Sequence, residues 1–228
     1  MTGHSDQTPV IEVTIGAPVS AVWRSLREPE LIRNWHGWHY DEGTGLDGEI
    51  EVIFGHDARV VEDGRVLELP DGDRFELSEV DGGTKVRIVR CAVPDDPEWA
   101  KYYDDITEGW RSFSQQLRFM LEQHPDQERS TIFLSGAIAD ADLDHLLAGI
   151  PAEASDVWFE TEHQRGVVLA ELGPGLLIVA VKPADVGTPT AMAIVTMYGV
   201  QGSELAHQHT RWTAWWKVHA IDEDASPR

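Results

Sequence analysis

The stretch VTIGAPVSAVWRSLREPELIRNWHGW, Val13 to Trp38, decides the reading of this 228-residue chain. Leading into it, Val10 to Ile15 alternates apolar and polar side chains, the period of a half-buried strand. Gly16-Ala17-Pro18 then stops the alternation where a helix can begin. Val19, Val22, Trp23 and Leu26 recur at helical spacing, Pro29 interrupts them, and Glu30 to Trp35 starts a second short turn of helix. The expectation is a strand followed by two short helices. From Asp47 to Cys91 the period returns to two, with turns at Asp63-Gly64, Asp71-Gly72 and Asp81-Gly82-Gly83. The segments Glu49 to Phe54, Ala58 to Glu62, Arg65 to Leu69, Arg74 to Val80 and Thr84 to Cys91 read as an antiparallel meander of four or five strands.

Beyond Pro94 and Pro97 the pattern predicts one long helix, about Glu98 to Gln123. Trp99, Tyr103, Ile106, Trp110, Phe113, Leu117 and Leu121 fall on one stripe, while Asp104, Glu108 and Arg111 face away. Phe119 lies on the polar side, so that side is either covered as well, as contact with the second half would explain, or exposes a phenyl ring. After the polar break His124 to Arg129 the plan restarts. Thr131 to Ser135 reads as a strand, Gly136-Ala137 echoes Gly16-Ala17, and Asp142 to Leu147 resembles a short helix. Four strands follow, Val157 to Thr161, Gly166 to Leu172, Leu176 to Lys182 and Thr190 to Gly199. The last element is a helix, Ser203 to Ile221, whose Leu205, His209, Trp212, Trp216 and His219 share a stripe. Matching Gly16 to Gly136 needs an offset of 120 and matching Trp110 to Trp212 one of 102, so the second copy is the shorter. Two domains are expected, 10–124 and 130–222.

Composition narrows the function classes. The formal charge is −22, spread over both halves, and the densest basic segment, Lys85 to Arg90, is isolated among carboxylates, which argues against nucleic acid and anionic membrane surfaces as partners. Nine Trp and 42% hydrophobic residues argue against disorder. The single cysteine, Cys91, forms no intramolecular disulfide and suggests a reducing compartment. Met1 to Pro9 lacks the features of a secretory signal, and the longest apolar run, Leu176 to Val181, is far short of a membrane span of about 20 residues. A cytoplasmic protein is the expectation.

Val13 to Trp38 together with ITEGWRSFSQQLRFMLEQHP, Ile106 to Pro125, resembles the START-like, helix-grip superfamily, also called SRPBCC, and within it the branch of heat-shock-protein ATPase activator homologues. The resemblance spans about Val10 to Pro125 and is specific for a fold, not for an activity. It implies an α+β fold in which a curved antiparallel sheet wraps a long C-terminal helix, with a cavity between them that accepts lipids, polyketides, hormones or other apolar molecules in relatives. The second half reads as a shortened copy of the same plan. It lacks a counterpart of Trp35 and one intervening helix, which argues against a second open cavity.

The densest cluster of unusual side chains is Trp35-His36-Gly37-Trp38-His39-Tyr40. By the resemblance it sits near the cavity mouth, where Trp35, His36, Trp38 and His39 line a ligand. The alternative is that both Trp pack into the core and both His cap or face solvent. His36-x-x-His39 also has the spacing of two metal ligands, but nothing nearby completes a set of three or four, so no metal is expected. Trp110 and Phe113 belong by default to core packing and, by the resemblance, lie beside the cavity with Tyr103, while Phe54 and Arg90 contribute from the sheet. A guanidinium at Arg90 facing inward needs a carboxylate partner or an anionic ligand. Asp104 and Glu108 read as a solvated face, His209 and His219 as hydrogen-bonded core residues, and Cys91 as a small buried apolar residue. Motifs for a serine hydrolase, an NTPase or a dinucleotide enzyme are absent from the sequence.

The expectation is a soluble binding protein, monomer or homodimer, without cofactor or assigned catalytic residue, holding a small hydrophobic or aromatic molecule. Trp35, His36, Trp38, His39, Phe54, Tyr103, Trp110 and Phe113 are the candidate ligand-binding residues. A cyclase, aromatase or dehydratase with His36 or His39 as acid–base group, and a co-chaperone-like interaction module, are the alternatives.

Overall fold

The structure is a computed structural model that describes residues 9–40, 42–92, 103–182 and 188–221. The chain divides into two compact units, Met1–Pro125 and Asp126–Arg228. Both are α+β and both follow the helix-grip plan, a five-stranded antiparallel sheet with a long helix at the C-terminal end.

In the first unit β1 (Val10–Ile15) leads into α1 (Val19–Ser25) and α2 (Pro29–Ile32), with Pro29 in the first turn of α2, where its missing N–H costs nothing. Then come α3 (Gly45–Phe54), β2 (Arg59–Glu62), β3 (Val66–Glu68), β4 (Arg74–Val80), β5 (Gly83–Val89) and α4 (Tyr103–Gln123). The sheet order is β1-β5-β4-β3-β2, so the first strand closes on the last. The alternation read from the sequence sets the register. Ile11, Val13 and Ile15 pair with Ile88, Val86 and Thr84, and all six are buried on one face. The opposite face carries ion pairs instead, with Glu12 joined to Lys85 and Arg87, and Arg87 to Glu76.

Glu49 to Phe54 is helix, not strand. Ile50 and Phe54 fit a period of two through Val52, but they also fit the stripe Leu46, Ile50, Phe54 at intervals of four. All three of those are buried, whereas Val52 is 73% exposed. Buried positions on α4 also extend beyond the expected stripe. Trp110 and Leu117 are buried, but Ile106 is exposed while Thr107, Ser112, Gln116 and Phe119 are buried. Phe119 is fully covered, its ring 5.6 Å from that of His124. Trp99 lies outside the described residues, as does the side chain of Tyr103.

The second unit repeats the topology. β6 (Arg129–Ala137), α5 (Leu143–Leu147), β7 (Ala154–Glu160), β8 (Gln164–Leu169), β9 (Gly175–Lys182) and β10 (Thr190–Tyr198) precede α6 (Gly202–His219). The sheet order β6-β10-β9-β8-β7 is that of the first unit. The shortening falls on the helices and not on the sheet, since the single helix α5, capped by the Asp142 carboxylate, stands where the first unit has α1 to α3 and both sheets have five strands. Trp212, Trp215 and Trp216 fill the core against Ile132, Leu177, Val179 and Val195. The buried face of α6 is offset from the expected stripe, for His209 is exposed and Gln208 and Trp215 are buried. No described helix is long and apolar enough to cross a membrane.

Candidate functional site

Helix α2 ends in a tight turn that fixes two neighbouring rings in different roles. The amides of Trp35 and His36 both donate to the Ile32 carbonyl, and Gly37, at φ +54°, then reverses the chain. Trp35 is fully buried and its Nε1 donates to the Ser25 carbonyl at 2.7 Å, tying α1 to the end of α2. His36, only 1% exposed, turns into a nest of aromatic rings. Its centroid lies 4.9 Å from Phe113, 5.2 Å from Phe54, 5.6 Å from Trp35 and 5.8 Å from Trp110.

One carboxylate serves this imidazole from α3. Glu49 Oε1 lies 3.0 Å from His36 Nε2, and Glu49 Oε2 accepts the Tyr40 hydroxyl at 2.8 Å. Burial pushes the Glu49 carboxyl up, but the hydrogen bonds and charge of His36, helped by Tyr40, outweigh it and hold the group below its ordinary value. Burial and the neighbouring Glu49 push Tyr40 up to about 12, so its hydroxyl stays protonated throughout the physiological range. With Glu49 ionised, the hydrogen bond between them places a proton on His36 Nε2.

The raised Tyr40 pKa is also a stability statement. The folded state holds this proton more tightly than the unfolded chain does, so the stabilisation is complete below about pH 10, the ordinary tyrosine value, and is lost as pH rises towards 12. Absorbance titration of tyrosinate is expected to show Tyr40 among the late-ionising groups together with Tyr198, whose phenol burial also raises. Tyr40→Phe should remove one late step; an unchanged late amplitude would contradict this assignment.

Beside Tyr40 a cleft of about 230 Å³ opens, lined by Arg33, His39, Tyr40, Thr44, Leu46 and Asp47, with Arg33 ion-paired to Asp47 across it. A larger cleft of about 510 Å³ lies at the β1–α1 turn beside Arg65 and Glu79, and includes none of the residues expected from the sequence.

Arg90 faces inward and finds a carboxylate. Its Nε lies 3.0 Å from Asp73 Oδ2, Nη1 donates to Thr107 Oγ1 at 3.2 Å, and both partners of the ion pair are sealed, 2% and 0% exposed. Asp73 also accepts from the Cys91 amide at 2.7 Å and from Trp110 Nε1 at 2.8 Å. This network fixes the orientation of Trp110, one wall of the nest around His36. Phe54, Phe75 and Trp110 meet one another at centroid distances of 5.3–6.3 Å between sheet and α4.

Of the residues expected to line a ligand, Trp35, Phe54, Trp110 and Phe113 come together around His36. Trp38, partly buried, lies 6.3 Å from Phe113, and His39 lines the cleft. Sequence reasoning missed Glu49, concealed by its assignment to a strand, and Asp73, concealed in an Asp-Gly-Asp turn. Tyr40 stood in the quoted aromatic cluster without being chosen. Among the described residues, no three or more His, Cys, Asp and Glu are grouped so that they could hold a metal ion.

No family model matches the chain, and no curated protein does. Among solved structures it is similar to DynU16, from the dynemicin biosynthetic locus, at 14% identity over 94% of this chain and 98% of that one, TM-score 0.35. It is also similar to the di-domain ARO/CYC BexL of the BE-7585A biosynthetic pathway, at 16% identity over 97% and 100%, TM-score 0.37. The protein MLL2253 of Mesorhizobium loti matches at 21% identity over 52% of this chain and 98% of that one, TM-score 0.39. At these identities and TM-scores the likeness assigns neither family nor activity.

Proposed function

We propose that the first unit binds a small aromatic or polyketide-like molecule beside Tyr40 and carries out acid–base chemistry on it, as a cyclase, aromatase or dehydratase does. The observation that carries the reading is the His36–Glu49 dyad. The carboxylate holds Nε2 at 3.0 Å and neutralises the imidazolium form of the ring. A proton removed from a carbon next to a ketone passes to the imidazole and leaves an enolate, to whose oxygen the imidazolium can return it. Phe113 beside His36, and Trp38 beside Phe113, are only partly buried, which supports approach of a flat substrate from that side. The two short segments quoted above support membership of the helix-grip superfamily near the ATPase activator homologues. The charge and the lone cysteine support a cytoplasmic setting.

A plain binding protein is the second reading, favoured by the near-complete burial of His36. Hydrogen–deuterium exchange of the C1 protons of 2-tetralone in D₂O separates the two. For the enzyme reading the protein should accelerate exchange over buffer by about 100-fold or more, with the gain lost in His36→Asn and reduced in Glu49→Gln. Saturation-transfer binding without accelerated exchange leaves only the binding reading. Neither binding nor exchange overturns both.

A further inference from the structure

We infer that the cleft beside Tyr40 selects a neutral hydroxyl donor, a phenol or an enol, over the matching ether or carboxylate. The inference rests on the binding reading above and names its ligand class. A phenolic hydroxyl has one hydrogen, and that of Tyr40 is committed to Glu49 Oε2 at 2.8 Å. What its oxygen has left to offer a ligand is lone pairs. The commitment is durable, because Glu49 is held ionised by His36 on its other oxygen and remains the best acceptor within reach. A ligand ether oxygen brought to this oxygen meets an acceptor with an acceptor, whereas a hydroxyl completes the chain ligand O–H to Tyr40 to Glu49, in which each bond polarises the next.

Charge excludes the ionised alternatives. Asp47 stands at the cleft and Glu49 behind Tyr40, the guanidinium of Arg33 is already paired with Asp47, and the chain as a whole carries −22. A carboxylate or phenolate ligand enters against this field, and a neutral phenol does not. Leu46 on the cleft wall supplies apolar surface for the rest of the ring.

Equilibrium dialysis at pH 7 with 1-naphthol, 1-methoxynaphthalene and 1-naphthoate tests the inference, because the three share one ring system. The expected result is a Kd for 1-naphthol at least about tenfold below that for the ether, with 1-naphthoate weakest. In Tyr40→Phe, which keeps the ring, the phenol-to-ether ratio should fall to about one; a circular-dichroism melt shows that the variant folds. Equal binding of phenol and ether to the unaltered protein overturns the inference while the binding reading stands. A ratio that survives Tyr40→Phe also overturns it, since the discriminating acceptor then lies elsewhere. Binding of none of the three overturns the binding reading along with it.

Discussion

Asp73→Ala is expected to destabilise the first unit by about 3–5 kcal/mol, the cost of leaving a buried charge without its partner. The carboxylate it removes is fully buried and holds three donors from two places in the fold, Arg90 and the Cys91 amide just past β5 and Trp110 on α4. The guanidinium left behind keeps its bond to Thr107 but loses its counter-charge, in surroundings that exclude water. Native-state hydrogen exchange at the amides of Phe75, Leu77, Val86 and Ile88 reads this unit by itself. The double variant Asp73→Ala/Arg90→Met should recover much of the loss, since an apolar side chain of similar length needs no counter-charge. If the double variant is no more stable than Asp73→Ala, the ion pair is not the source of the effect.

Trp35→Ala is expected to cost about 3–5 kcal/mol by the same measurement, because it empties the space of an indole with 0% exposure and leaves the Ser25 carbonyl without its donor. Trp35→Phe separates the two contributions. It keeps most of the packing against Phe54 and His36 and loses only the hydrogen bond, so about 1–3 kcal/mol is expected. The same pair of variants asks whether Trp35 lines a ligand or frames the site. As a framing residue, Trp35→Phe leaves the affinity for 1-naphthol unchanged, and a large loss of affinity in that variant would assign it to the ligand instead.

The parts of the fold that were legible are those in which one period alone fits. Ile11, Val13 and Ile15 alternate without competitor and set the register against β5, and the helix breaks at Gly16-Ala17-Pro18 and Pro29 mark real boundaries. Where two periods fit, sequence cannot choose. Ile50 and Phe54 are four apart and also two strand steps apart, and only the exposure of Val52 distinguishes the readings. That ambiguity concealed the most useful residue of the site, for a carboxylate on a solvent-facing strand looks like any of the chain's 40 acidic residues. On α6 the cluster of three tryptophans spans a wide arc, so placing His209 rather than Gln208 inside was an error of one position. The aromatic composition of the site was readable because Trp and Phe are few in the chain, and Trp35, Phe54, Trp110 and Phe113 stand out whichever element carries them. Its polar chemistry depends on pairings such as His36 with Glu49 and Arg90 with Asp73, which are 13 and 17 residues apart and leave no periodic trace.

The closing of each sheet by its first and last strands governs how the protein is made. β1 leaves the ribosome first, yet every partner in its ladder, from Thr84 to Val89, is translated some 69–79 residues later. Until then the nascent strand carries unpaired amides and an apolar face, a template for pairing with other chains. Its closure must bridge a long loop of flexible chain before any contact compensates the lost entropy. In the second unit β6 waits in the same way for β10, 53–69 residues on. Each unit therefore commits late, when its last strand emerges, and a ribosome that stalls before β5 is made releases β1 without its partner strand.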